Sequence, residues 1–272
     1  MELQYFCTIW GNTLPFEKFC KKAKQAGYGG VEMDLPLTLS KGEKSNILKT
    51  LEAYDLKLIA QYWQSIEKNF NENRESYKKH LYALAETNPV LINGQTGKDY
   101  FTFEQNMKLI TVAENVSKET GVEILHETHR GKFLFNLPVL KQCIDSNKKV
   151  SITLDASHWC TVHESLLDDQ SKALSLAIKH TRHIHARVGF EEGPQINDPR
   201  APEWASLVEK YFSWWDLVVM NHKKKKKNLT ITPEFGPIPY MPTAPYTKKN
   251  LSVQWDVNVH MMKLFKERYH KI

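Results

Sequence analysis

The chain has 272 residues, 41% apolar and 11% aromatic, with a formal net charge of +6. That size suits a barrel of about 250 residues folding as one unit, and the apolar share excludes disorder. The longest apolar runs fall short of the roughly 18 residues a membrane span needs, so no membrane partner is expected.

The first residues, MELQYFCTIWGN, lack a basic segment followed by a long apolar stretch, and Cys7, Cys20, Cys143 and Cys160 show no C-x-x-C spacing. A cytoplasmic protein with four free thiols is the expectation, without a secretory signal or a thiolate zinc site. Lys223 to Lys227 form a run of five lysines. The rest of the chain is close to charge balance, so the run is expected to be a solvated loop and no nucleic-acid partner is inferred.

Strand-like and helix-like segments alternate from end to end. LQYFCTIWG precedes an amphipathic stretch, Phe16 to Ala26, that stops at Gly27. GGVEMDLP leads to a helical pattern from Ser45 to Tyr54, and LKLIAQYW leads to another from Tyr77 to Glu86. PVLING is followed by Phe103 to Thr120, VEILHE by Leu137 to Ser146, and VSITLD by Ser165 to His180. RHIHAR leads through a long loop to Trp204 to Asn221, and LTITPE precedes a last helix near Val253 to Tyr269. Eight strand signals, each followed by a helical period, predict an α/β fold: a single (β/α)8 TIM barrel over residues 1–272. A doubly wound sheet would carry a Gly-rich phosphate loop, and neither G-x-G-x-x-G nor a Walker A pattern occurs. Two connections are long and irregular, RVGFEEGPQINDPRAPEW after strand seven and FGPIPYMPTAPYT after strand eight. Both leave the strand ends where barrel enzymes keep their active sites, and loops this long are usually functional.

Four consecutive strands end on groups able to bind a metal: Glu127, Asp155, His183 with His185, and Glu234. In a barrel these ends converge on one face. Carboxylates brought together without a cation repel one another, which a divalent ion relieves. Such a mostly oxygen site suits Mn²⁺, Mg²⁺ or Co²⁺ better than Zn²⁺. Strand alternation puts His183 and His185 on one face, and His185, nearer the end, is the better ligand.

Glu127, Asp155-x-x-His158, HIHAR, TPEFG and AGYGGVEMD together resemble the xylose isomerase-like barrels. More specifically they resemble the sugar isomerase/epimerase group that includes the tagatose/psicose 3-epimerases. The resemblance implies one divalent metal held by Glu127, Asp155, His185 and Glu234, with Glu127 and Glu234 also the proton-transferring pair. It implies that His158 and Arg187 contact substrate hydroxyls and that Glu32 helps hold the substrate. His129, beside Glu127, is a further candidate contact, and Trp10, Trp63 and Trp159 are candidate apolar walls. The implied partner is a small-molecule carbohydrate, and the implied assembly a homodimer. A metal bridging carbonyl and hydroxyl oxygens would stabilise a developing enediolate, letting a carboxylate take the neighbouring proton.

Strand three ends IAQYW where many relatives carry a histidine, and Arg130 also stands beside Glu127. The loop after strand seven is longer than in ketose epimerases, and its Arg187, Glu191, Glu192, Asn197, Asp198 and Arg200 are candidates to reach the pocket mouth. These departures point to an oxidised, phosphorylated or glycosidic sugar as readily as to a free ketohexose. A metal-dependent isomerase or epimerase is the leading reading. A metal-dependent lyase or dehydratase of a keto-sugar and a non-catalytic sugar-binding barrel are the alternatives. An apurinic-site nuclease fits less well, since it would need more histidines and a basic face.

Overall fold

Described from a computed structural model over residues 1–147 and 149–271, eight parallel strands close into a barrel in chain order. They are β1 (Leu3–Thr8), β2 (Gly30–Asp34), β3 (Lys57–Tyr62), β4 (Leu91–Gly94), β5 (Ile124–Glu127), β6 (Ile152–Leu154), β7 (Thr181–His185) and β8 (Leu229–Thr232). Closure sets Leu3, Gln4 and Tyr5 of β1 opposite Leu229, Thr230 and Ile231 of β8. The crossovers carry α1 (Phe16–Ala26), α2 (Lys41–Ala53), α3 (Phe70–Ala85), α4 (Phe103–Thr120), α5 (Leu137–Ser146), α6 (Ala156–His163), α7 (Ser171–His180) and α8 (Ala205–Lys225). After β8 comes α9 (Gln254–Arg268). Among the described residues no helix is long and apolar enough to cross a membrane, and the four cysteines are buried and unpaired.

Alternation along each strand sorts the side chains into two environments. Outward residues such as Val31, Ile92, Leu154, Ile184 and Ile231 pack under the helices in the main core. Inward residues begin with an apolar plug of Phe6, Ile59, Leu91 and Leu125 at the floor of the barrel. Gly30 makes room for it: a Cβ there would stand 2.3 Å from the Phe6 ring. Above the plug the inward positions become polar, with Glu32, Asn93, His183, His185 and Thr232 all buried. This apolar-to-polar change aims the chemistry at the C-terminal end of the strands.

Local capping explains where the helices depart from the expected boundaries. α2 begins at Lys41 because Ser40 and Glu43 form a capping box, and α3 begins at Phe70 because the Asn69 side chain accepts from Asn71 N–H and Glu72 N–H. An unexpected helix, α6, starts directly after Asp155, whose carboxylate caps it through Ser157 N–H. Ser165 to His180 therefore holds a turn and the shorter α7. The lysine run is solvated as expected but only in part a loop: Lys223 to Lys225 form the last turn of α8, Lys226 ends it at φ 51°, and Lys227 lies beyond. Cations there complement the negative end of the helix dipole, which favours continuing the helix.

The loop after β7 folds onto itself through the Phe190–Gly193 bridge and the bond from Ile196 N–H to Val188 O at 3.0 Å. Asp198 accepts from Arg200 Nε at 2.8 Å and Nη2 at 2.6 Å, and from the Ser252 hydroxyl of the loop after β8. Asn197 accepts from Trp204 Nε1 at 2.6 Å. Of the charged and amide residues expected from this segment to reach the pocket, only Arg187 lines it; Asn197 bonds within its own loop, and Asp198 and Arg200 bind that loop to the one after β8. The hydrogen bonds from Arg200, with that from Ser252, hold the Asp198 carboxyl well below its ordinary value against the effect of burial. A depressed folded value stabilises the fold above the unfolded value of about 4 and is lost as pH falls through the folded one. Asp198→Asn is therefore expected to flatten the acid limb of stability below about pH 4, read as urea midpoints against pH.

Candidate active site

Four polar side chains from β5 through β8 meet above the plug. Glu127 ends β5, Asp155 follows β6, His185 ends β7 and Glu234 lies two residues beyond β8. One ligating atom from each lies within 4.8 Å of the others, and all four residues are buried. His185 Nδ1 is 2.9 Å from Glu234 Oε2 and 3.4 Å from Glu127 Oε1.

Glu32 fixes the orientation of that imidazole from below. Its carboxylate accepts from His185 Nε2 at 2.9 Å, His183 Nε2 at 3.1 Å, Asn93 Nδ2 at 3.0 Å and the Thr232 hydroxyl at 2.5 Å. With Nε2 bonded to Glu32, Nδ1 faces the carboxylates of Glu127 and Glu234. Second-layer carboxylates of this kind set the tautomer of metal-binding histidines. Among the described residues, Glu127 Oε2 has no hydrogen-bond partner. Burial opposes charge on the ring, yet Glu234, Glu32 and Glu127 outweigh it and raise His185 well above its ordinary value. Burial likewise opposes ionisation of Glu127, but His185, His129 and Arg187 draw it down to about 2. Burial pushes Glu234 up, and His185 only partly offsets it. Buried carboxylates around a proton-hungry imidazole form a hard donor set that a divalent cation fits, so the four residues are a candidate metal-binding cluster.

Two adjoining groups of ligating residues fit a cation less well. In Glu32, His183 and His185 the carboxylate is filled by the bonds just described. In Glu127, His129 and His158, Arg187 Nη2 donates to His158 Nε2 at 2.8 Å, so His158 Nδ1 carries the proton. The Arg187 guanidinium, also paired with Asp155, adds a buried positive charge beside it. Burial, then His129 and Arg187, hold His158 in its neutral form.

A cavity of about 360 Å³ opens above the cluster and is lined by Glu127, Glu234, His129, Arg187, Trp10 and Trp63 of the expected site residues. The remaining expected residues lie elsewhere. Asp155, His185, His158 and Glu32 are buried and do not line it, and Glu32 supports His185 rather than facing the cavity. Trp159 is fully buried in the outer core and donates through Nε1 to Leu134 O at 3.0 Å. It is no cavity wall, because α6 turns it under the helical layer. His183 is a core histidine between Glu32 and the Thr230 hydroxyl, 2.7 Å from Nδ1.

Sequence reasoning missed Asp34, Gln61, Gln95 and Tyr240, all in the cavity wall. The first three share strand parity with Glu32, Ile59 and Asn93, so alternation was a usable signal. Tyr240 had none, because its place depends on loop conformation. Its ring packs edge-on against Trp10 at 5.0 Å, with the Arg187 guanidinium 4.8 Å from its centroid.

The turn that carries Glu234 is held by side-chain amides. Asn258 accepts from Phe235 N–H at 2.8 Å and donates to Phe235 O at 3.0 Å. Gln195, from the loop after β7, accepts from Gly236 N–H at 2.7 Å and donates to Gly236 O at 3.2 Å. Gln254 Nε2 donates to Trp10 O at 2.8 Å and Phe235 O at 2.9 Å. A Cβ on Gly236 would stand 2.3 Å from the Trp10 ring, so glycine lets the indole lie over this turn.

No family model and no curated protein matches the sequence. Solved structures do match in fold. A xylose isomerase-like TIM barrel protein from Mycobacterium smegmatis, in complex with magnesium, aligns with TM-score 0.65 at 10% identity over 97% of each chain. D-Allulose 3-epimerase from Methylomonas sp., in complex with D-allulose, aligns at 0.61 and 14% over 98% of this chain and 97% of that one. The probable 3-DHS dehydratase AsbF from Bacillus anthracis, involved in petrobactin synthesis, aligns at 0.59 and 14% over 97% and 99%. The strand order, the closed barrel and these neighbours agree: the protein has the (β/α)8 barrel fold, similar to that of xylose isomerase-like proteins.

Proposed function

We propose that the protein is a divalent-metal-dependent isomerase or epimerase of a sugar derivative, with Glu127, Asp155, His185 and Glu234 holding the ion. The observation that carries this reading is the buried cluster itself: His185 Nδ1 faces the carboxylates of Glu127 and Glu234, with Asp155 within 4.8 Å, and the two glutamates open onto a cavity. A bound divalent ion, with Mn²⁺, Mg²⁺ or Co²⁺ favoured over Zn²⁺ by the oxygen-rich set, supplies Lewis acidity that makes the C–H beside a carbonyl acidic.

The chain's own residues then divide the work. Glu127 and Glu234 reach the cavity from β5 and from beyond β8, on different sides of the barrel, and exchange a proton with the substrate carbon. Among the described residues Glu127 Oε2 is free of hydrogen bonds, whereas Gln61 Nε2 donates to Glu234 Oε1 at 3.3 Å and steadies it. Arg187 and His129 orient substrate oxygens. His129 gives its Nδ1 proton to Arg130 O at 2.6 Å, leaving Nε2 as an acceptor. Trp10, Trp63 and Tyr240 wall the cavity and exclude water.

Solvent exchange tests the reading. Protein loaded with Mn²⁺ is incubated in deuterated water with ketoses, aldoses, sugar acids and sugar phosphates. Deuterium at one carbon, with rearranged or inverted product, is expected for the wild type and lost in Glu127→Gln and Glu234→Gln. Loss of water from the substrate instead would favour a dehydratase, the activity named for one structural neighbour. No exchange with any class, despite bound metal, would rule out the proton-transfer reading.

A further inference from the structure

Beside the cavity, three loops of the catalytic face are joined by buried polar groups that converge two lysines on one peptide segment. The segment is Trp63 to Ser65, after β3. Trp63 lines the cavity and is 47% exposed, so it stands at the mouth. Lys98, after β4, donates from Nζ to Ser65 O. Lys132, after β5, has its Nζ 3.4 Å from Trp63 O and 3.5 Å from the same Ser65 O.

The backbones that carry these lysines are firmly held. The buried Asn106 side chain accepts from Lys98 N–H at 3.2 Å and donates to Lys98 O at 2.8 Å. Gly97, at φ 64°, leaves the space that Asn106 Oδ1 fills. The Ser65 hydroxyl donates to Gly97 O at 3.2 Å and accepts from the buried Asn73 at 3.0 Å. Lys132 N–H donates to His129 O at 3.2 Å, and Phe133 N–H donates to Thr96 O at 2.9 Å. Two ammonium groups therefore share one carbonyl, and neither pairs with a carboxylate among the described residues. Burial first, and Lys98 next, push Lys132 down to about 8, although Glu127, Asp99 and Glu67 work in the other direction. Like charges held together on a rigid frame are relieved by a bound anion.

We propose that Lys98 and Lys132 form an anion subsite at the cavity rim that receives the phosphoryl or carboxylate group of an acidic sugar derivative. The sugar part rests on the function proposed above; the oxyanion part does not. The cavity then holds the reacting carbons over Glu127 and Glu234 while the anionic end lies toward the Trp63 side.

The test is calorimetric titration of the metal-free full chain, in chelator, with inorganic phosphate and separately with acetate. Saturable phosphate binding is expected, weakened roughly tenfold by Lys98→Met and by Lys132→Met, as suits loss of one charge-assisted hydrogen bond. Lys132→Arg should restore it, which separates charge from packing. Saturable acetate binding with the same dependence on both lysines would assign the subsite to carboxylates. Absence of binding by either anion, or binding that both Met variants leave unchanged, would overturn the proposal. Divalent metal bound by the Met variants should equal that of the wild type. A wild type that binds phosphate but no metal would sink the active-site reading and leave the subsite standing.

Discussion

Replacing Asp155 by Asn is expected to destabilise the fold by about 3 kcal/mol and to weaken divalent metal binding by at least about a hundredfold. The two effects have separate causes. Asp155 is fully buried, and its carboxylate is the ionic partner of Arg187, itself 1% exposed. Removing one member of such a pair leaves a buried charge uncompensated, which is why the loss exceeds that of a surface bridge. The same carboxylate accepts from Ser157 N–H at 3.0 Å, and an amide keeps that cap only in part. Its oxygens retain lone pairs for a cation, which the neutral amide would offer less strongly. Urea unfolding in chelator isolates the structural loss, since metal linkage is then absent from both proteins. Metal analysis after dialysis reads the second effect. A variant as stable as the wild type in chelator would show that the Arg187 pair adds nothing net, and undiminished metal content would remove Asp155 from the ligand set.

Trp159→Ala is expected to cost about 3–5 kcal/mol, the usual loss for a large buried aromatic. The indole is fully buried, and its N–H satisfies Leu134 O, which would be left unpaired. Trp63→Ala should differ in kind. That ring is 47% exposed at the cavity mouth, so its loss should change stability by less than about 1 kcal/mol while weakening carbohydrate binding. Thermal or urea unfolding of the pair, followed by titration with the sugars that exchange deuterium, gives four numbers. Similar stability losses in both variants would contradict the placement of one ring in the core and the other at the rim.

These two tryptophans also mark what a linear reading can see. The strand-helix alternation, the order of the strands and the convergence of Glu127, Asp155, His185 and Glu234 were all legible, because periodicity and strand ends are local properties. The two-residue repeat of a strand put His183 and His185 on one face, and His185's place nearer the strand end set it among the carboxylates. Trp159 was not legible in the same way. Counting outward from Asp155 as if the chain stayed extended puts it near the strand end. Asp155 instead starts α6, and a helix sends successive side chains off about 100° apart, so His158 and Trp159 part company. Glu32 lay one pleat too deep to face the cavity, and Asp34, two residues on and on the same face, reached it. Alternation would have found Asp34 had it been carried to the end of β2. Tyr240 and the paired lysines depend on how long loops fold against each other, which no local pattern encodes.

The exchange of hydrogen bonds between Gln195 and the peptide of Gly236 has a consequence for redesigning this barrel. A side-chain amide bonded to both polar groups of one residue acts as a short extra strand, so each loop supplies what the other lacks. The Asp198–Ser252 contact fastens the same two segments a second time. They therefore form one exchangeable module. Grafting either loop alone from another barrel strands a buried amide and loosens the turn beneath Trp10, whereas exchanging both keeps the wall intact. Changes of specificity on this side of the mouth have to come in pairs, while the opposite rim, built on Asn106 and Ser65, can be altered independently.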